Sequence, residues 1–261
     1  MIRPWRWLAA VLAAGGCVQT SLNPATQRQD YTFTSIESEV ATGRRLARRV
    51  EKELPRLEDE RVQERVRALG GRLVAVCDRR DLVYQFEVLE GEEVNAFALP
   101  GGYVYIYQGL VDKTASDDEL AGVLAHEIGH IAARHSIKHY EAGIGAQLLQ
   151  LATLVTRQPA AIQGTGLSLQ AARLAYARDD ELEADRLGVK YLKAAGFNAG
   201  AMVHFLEVME GVDQQEARYL PRGIVRPQYA LTHPFIPDRI RTVKESLYGV
   251  ADYLDYLNTQ E

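Results

Sequence analysis

The sequence predicts an α+β fold, mainly helical, with one small sheet set between two groups of helices. Three observations carry that reading. Apolar residues recur at three- and four-residue spacing over about 36–77, the period of a buried helical stripe. Strand-length runs then occupy about 84–107, around a Pro-Gly-Gly turn. Helical spacing resumes from Leu120 and returns at roughly 167–195, 199–210 and 238–248. Helices and strands segregated along a chain, rather than alternating, make an α+β domain. At 261 residues and 47% hydrophobic content the chain can bury a substantial core, so residues 35–250 are expected to form one domain, followed by a tail over 251–261.

The first residues are not part of that domain. Arg3 and Arg6 give a short positive region, and Leu8 to Ala14 is apolar but too short to span a bilayer. Ala14-Gly15-Gly16-Cys17 resembles a bacterial lipobox, in which the cysteine becomes the lipidated first residue. Residues 1–16 are therefore expected to be a signal peptide, and 17–34 a lipidated N-terminus and polar tether. Val18, rather than Asp, follows the cysteine, which in bacteria with two membranes favours the outer membrane. With Cys17 acylated, Cys77 has no intramolecular disulfide partner and reads as a small buried hydrophobe.

Val40, Leu46, Val50 and Leu54 line one helical stripe, Pro55 breaks it, and Val62, Val66, Leu69 and Leu73 line the next. The basic cluster Arg44, Arg45, Arg48 and Arg49 is answered by Glu51, Glu53 and Glu58, so it reads as a solvated helix face. A formal net charge of −5 makes no case for nucleic acid. Tyr84, Phe86 and Val88 then alternate with Gln85, Glu87 and Leu89, while Val94 to Leu99 and Tyr103 to Tyr107 flank Pro100-Gly101-Gly102. These segments predict a small antiparallel sheet.

The next helix carries chemistry. Ser116 with Glu119 three residues on reads as a capping box, and Leu120, Val123, Leu124 and Ile131 supply its buried face. Within it stands His126-Glu127-Ile128-Gly129-His130. Histidines four apart lie about 40° from each other around a helix, so two imidazoles can grip one metal ion while Glu127 sits beside an open position as a general base. Gly129 costs about 1 kcal/mol relative to Ala and is expected to admit the close approach of another backbone. His135 lies about 180° around the helix from His126 and His139 lies further along, so neither can join the same metal. Beyond this helix, Ile144 to Val155 reads as a packed core or lid helix and 157–166 as a loop.

Catalytic zinc needs three protein ligands and an open position. The helical pattern Arg178-Asp179-Asp180-Glu181-Leu182-Glu183-Ala184-Asp185 offers carboxylates. Glu181 and Asp185 share a face and Glu183 points roughly opposite, so spacing leaves either the pair or Glu183 free to face the metal.

Together, the HExxH pentapeptide and Glu181-Leu182-Glu183-Ala184-Asp185 resemble the M48 family of zinc metallopeptidases, whose pattern is HExxH with a downstream ExxxD. Asn95-Ala96-Phe97-Ala98-Leu99-Pro100-Gly101-Gly102 and Thr232-His233-Pro234 with Arg239 fit as well. The likeness runs from about residue 30 to 248 and is greatest to short bacterial lipoprotein members. It implies a zincin-like domain with one zinc ion held by His126, His130 and Glu181. Asp185 would accept a hydrogen bond from a ligand imidazole. Glu127 would take a proton from the zinc-activated water and pass it to the leaving amine. His233 is the candidate to stabilise the oxyanion, and could act as a reversible fourth ligand. Arg239 would brace the site or touch substrate.

A strand at Asn95, Ala96, Phe97 and Ala98 beside the metal could bind an extended peptide as an added strand. The expected function is thus endoproteolysis of unfolded or misassembled envelope proteins by a lipid-anchored enzyme of the outer membrane. The rival is an envelope assembly or chaperone-like lipoprotein whose metal site is latent or structural. Glu127 separates them, because a purely structural site has no use for it.

Overall fold

The computed structural model describes residues 19–143, 177–219 and 232–249. The signal-peptide segment, Cys17, the apolar run 144–155, the loop 157–166 and the tail 251–261 lie outside them. Among the described residues no helix is long and apolar enough to cross a membrane.

The expected tether is, in its described part, an antiparallel hairpin of β1 (Gln19–Leu22) and β2 (Gln29–Thr32) fastened to the domain. Its hydropathy is inverted, which is why the sequence reads as loose polar chain. Asp30 and Thr32 point inward at 3% and 1% exposure, while Tyr31 and Phe33 point out at 64% and 67%. The buried polar groups are all spoken for. Asn23 donates to Asp30 and to the carbonyl of Ala132, and Lys138 pairs with Asp30 at 2.7 Å. Such pairing is the condition for burying polar side chains at tolerable cost.

Helix α1 (Ile36–Glu53) starts on a Ser35 cap and stops just short of Pro55, and α2 (Glu60–Val74) starts on an Asp59 cap. Gln63 on α2 is fully buried. Its amide donates to the Leu57 and Val88 carbonyls and accepts from the Val88 N–H, locking α2 to the sheet.

Strands β3 (Gln85–Leu89), β4 (Ala96–Leu99) and β5 (Tyr103–Tyr107) form that sheet in the order β3-β5-β4. It is mixed, not antiparallel as expected: β4 and β5 are antiparallel, but β3 and β5 run parallel. The turn at Gly101 and Gly102, with φ of 79° and 103°, fixes the β4–β5 hairpin. Residues 90–95 then carry the chain past the central place, which β5 fills; like the edge strand β4, it is buried at every position. Two-residue periodicity reports faces and not neighbours, so the strand order was invisible to it.

The sheet is covered on both sides. Leu89, Phe97, Leu99, Tyr103, Tyr105 and Tyr107 pack on Ala47 and Val50 of α1. Phe86, Val88, Ala96, Ala98, Val104 and Ile106 face the main core. That core also takes residues from α2, α4 (Asp117–Ala132), α5 (Arg178–Ala195) and α6 (Ala201–Tyr219), with α3 (Gln108–Lys113) short between β5 and α4. Helix α7 (Ile236–Tyr248) follows Phe235, whose φ of 67° turns the chain sharply away from His233.

The cap of α4 forms as expected, with one shift. Ser116 Oγ accepts from the Glu119 N–H, and the Glu119 carboxylate reaches back to Ala115 rather than to Ser116. Helix α4 is buried on every side from Glu119 to Ala132. At its C-terminal end Arg134 adopts a left-handed φ of 64°, held by hydrogen bonds to Glu39, Thr32 and the Thr34 carbonyl, with Arg79 also on Glu39. Gly129 has the predicted role. A Cβ there would lie 2.7 Å from the carbonyl oxygen of Ala184, so α4 and α5 touch backbone to backbone.

Candidate metal centre

The contact of Gly129 with Ala184 sets the distance between two chemistry-bearing helices, since Ala184 lies between Glu181 and Asp185 on α5. His126 and His130 from α4, Glu181 from α5 and His233 from the turn before α7 each offer one donor atom, all within 4.8 Å of one another, and all four are buried. His126 Nε2 lies 3.0 Å from His130 Nε2 and 3.3 Å from His233 Nδ1. Glu181 Oε1 is 3.3 Å from His130 Nε2 and 3.2 Å from His233 Nδ1, and its Oε2 is 3.5 Å from His126 Nε2. Bonds of about 2.0–2.2 Å in a tetrahedral zinc site put its donors roughly 3.3–3.6 Å apart. The spacing therefore fits one small cation.

Tautomers give the same answer. His126 Nδ1 is 2.8 Å from Asp185 Oδ1, so its proton is committed there and the Nε2 lone pair faces the cluster. His233 Nε2 lies 3.3 Å from the Ala96 carbonyl, which can only accept, so Nδ1 turns its lone pair the same way. Lone pairs converging at 3.0–3.3 Å repel unless a cation lies between them. Counted at formal charge, Glu127, Glu181 and Asp185 stand against the single guanidinium of Arg239. A divalent ion balances that excess.

The electrostatics draw positive charge inward. Burial opposes ionisation of Glu181, yet His233, Arg239 and the ligand histidines hold its carboxyl well below the usual range. Asp185 is likewise buried and is held low by Arg239 and His126. Burial, reinforced by His126, drives His130 well below its ordinary value. Burial and Arg239 push His126 down too, but with no ion in place Asp185 and Glu181 outweigh them and raise it to about 9, a proton that a bound cation would displace from Nε2.

Arg239 is fully buried and braces the acidic side. Its fork donates to both oxygens of Asp185 at 2.9 Å, and Nη1 lies 3.1 Å from Glu181 Oε2. Glu127 is fully buried, and neither of its oxygens has a hydrogen-bond partner. His233 Nε2 is 3.4 Å from Glu127 Oε1, close enough for attraction but not aligned to donate. Such an orphaned carboxylate is costly unless a proton or polar ligand comes to it.

All the metal-site residues expected from the sequence thus come together, with Glu181 and Asp185 inward and Glu183 turned away. Asn95 and Ala96 join them at one edge. Asn95 Oδ1 accepts from Thr232 Oγ1, fastening the His233 turn to β4. His135 is not one of the four converging donors. What sequence reasoning missed is its contact with the far side of His130, Nδ1 to Nδ1 at 3.0 Å, which follows the break at Arg134. No sequence signal marks a left-handed arginine.

Residues 58–247 match the model of peptidase family M48. The chain belongs to peptidase family M48. This M48 chain is 32% identical over 237 residues to a putative beta-barrel assembly-enhancing protease of Vibrio cholerae, covering 85% of the chain and 48% of that relative. It is 31% identical over 217 residues to the beta-barrel assembly-enhancing protease of Escherichia coli K12, covering 79% of the chain and 43% of that protein. The mitochondrial metalloendopeptidase OMA1 of Schizosaccharomyces pombe is 29% identical, with 93% and 72% covered. The M48 chain spans about half the length of the bacterial relatives it matches. The family brings a catalytic metal, and the His-Glu cluster is able to hold one.

Proposed function

We propose that the chain is a zinc endopeptidase acting on unfolded or misassembled envelope proteins, lipid-anchored at Cys17 to the periplasmic face of the outer membrane. One observation carries the reading: four buried donor atoms converge beside a carboxylate with no hydrogen bond of its own. The names of the bacterial relatives support the envelope setting. For the anchor, Leu22 and Tyr31 of the hairpin that follows Cys17, with Phe33 and Ile36 just after it, are large exposed apolar side chains.

In this reading His126, His130 and Glu181 hold the ion, and imidazole with carboxylate favours zinc among divalent metals. Bound zinc would supply the Lewis acidity that makes water a nucleophile near neutral pH. Glu127 accepts the proton from the attacking water and delivers it to the leaving nitrogen. Asp185, clamped by Arg239, fixes the tautomer of His126. His233 Nδ1 is a fourth donor that would hold the ion in the resting site, and drawn back its imidazole would be available to the oxyanion.

The substrate strand has support as well. Among the described residues β4 pairs on one side only. The Asn95 carbonyl points toward β5, so the alternation of an antiparallel ladder turns the backbone groups of Ala96 and Ala98 outward; those of Ala96 are taken by Asn95 Oδ1 and His233 Nε2, which leaves Ala98 to offer its N–H and carbonyl. An extended peptide can pair there. Ala98→Pro removes an outward N–H without touching the β5 ladder. It is expected to raise KM for peptide cleavage about 10-fold, the order of one lost hydrogen bond, with zinc content unchanged. Unaltered KM would remove the strand from substrate binding.

A structural-site reading is favoured by one feature, since four protein donors close a site as structural zinc does. Metal removal separates the two. The purified chain is expected to carry one zinc and to cleave unfolded casein. A chelator should stop cleavage, and added zinc should restore it with the fold unchanged by circular dichroism. A zinc-loaded chain inert toward casein would favour the structural reading.

A further inference from the structure

We propose that His135 is a positioning residue for the ligand His130, linking that imidazole to the carboxylates of Glu183 and Asp180; the inference rests on the zinc reading above. The break at the end of α4 makes the link possible. Ala133 closes the helix and Arg134 turns the chain left-handed, which carries His135 back over His130. His130 is fully buried and His135 is 2% exposed. Their rings meet at 5.2 Å between centroids and 67° between planes, with Nδ1 facing Nδ1 at 3.0 Å.

The direction of every proton follows from the two ends. At the inner end His130 Nε2 faces His126, Glu181 and the metal position, so His130 must carry its proton on Nδ1. His135 Nδ1 must then accept that N–H, which leaves the His135 proton on Nε2. At the outer end His135 Nε2 lies 3.3 Å from Glu183 Oε2 and 3.3 Å from Asp180 Oδ1, both acceptors. The two ligand histidines are thus held differently. His126 reaches a carboxylate directly through Asp185, whereas His130 reaches its carboxylates through a second ring. Either arrangement fixes ring orientation and raises ligand basicity.

Glu183 and Asp180 flank the ligand Glu181 on α5, so one helix supplies both a ligand and the outer support of a second ligand. Arg28 in the β1–β2 turn lies 3.2 Å from the other Glu183 oxygen, Oε1. His139 pairs with the other oxygen of Asp180, Oδ2, at 3.0 Å. Both acceptors are therefore held in place from their far sides. The acidic helix that spacing alone could assign only by face has work on two faces.

Zinc affinity measured by competition with a chromogenic chelator, on the full chain, tests the role. His135→Phe keeps a ring of similar size but removes the acceptor, and is expected to weaken zinc binding 10–100-fold. His135→Gln can accept from His130 with its amide oxygen and donate to Glu183 with its nitrogen, so it should stay within about 3-fold of the parent. The metal-free proteins should show the same far-ultraviolet circular dichroism. Unchanged affinity in His135→Phe overturns the proposal, and so does an equal loss in both variants, which would mean packing alone. Should His135→Phe not fold, the double substitution Asp180→Asn with Glu183→Gln, at half-buried positions, should weaken zinc several-fold. Unchanged affinity there likewise overturns it. A parent chain that binds no zinc would overturn the zinc reading instead.

Discussion

Glu127→Gln is expected to lower casein cleavage by at least about 10²–10⁴-fold while zinc content and fold stay as in the parent. The carboxylate touches none of the four donors closely enough to ligate with them. His233 Nε2 stands 3.4 Å from Oε1, and both oxygens are buried without a hydrogen bond. A glutamine of the same shape keeps the packing but cannot take a proton. The buried charge disappears as well, so the variant should be as stable as the parent or slightly more so. That combination, lost turnover with a retained or raised melting temperature, marks a residue kept for chemistry. Equal cleavage by the two proteins would exclude Glu127 as the base.

Arg239→Met should have the largest effect on stability. The guanidinium is fully buried and is shared by Asp185 and Glu181. Removing one partner of such a cluster leaves uncompensated carboxylates and costs about 3–5 kcal/mol, or roughly 6–20 °C in melting temperature for a domain of this size. Zinc should return part of the loss, because a divalent ion offsets the charge of Glu181 and binds only the folded state. Thermal unfolding with and without zinc checks both points. A metal-free variant that melts with the parent would show that the arginine does not hold these carboxylates ionised.

Much of the centre was legible in the sequence because it is built from helix geometry. His126 and His130 share a face through 3.6-residue periodicity, and Gly129 announced a close neighbour through the absence of a side chain. Spacing could not choose between Glu181 and Glu183, and only the packing of α5 on α4 turns Glu181 inward. Three features were hidden for physical reasons. The order of the strands depends on which ones pair, and a two-residue period reports faces and not partners. The hairpin at the start buries its polar side and shows its apolar one, the reverse of the pattern that hydropathy seeks. His135 depends on one left-handed arginine, held by Glu39 and two threonines distant in sequence.

That hairpin has a mechanical consequence. Cys17 stands only two residues before Gln19, and two extended residues span about 7 Å. An acyl chain at Cys17 would hold the whole body against the bilayer rather than let it roam on a leash. Its working radius would be its own width. With that anchor in place, encounter with substrate would be a search in two dimensions, confined to chains at the membrane surface.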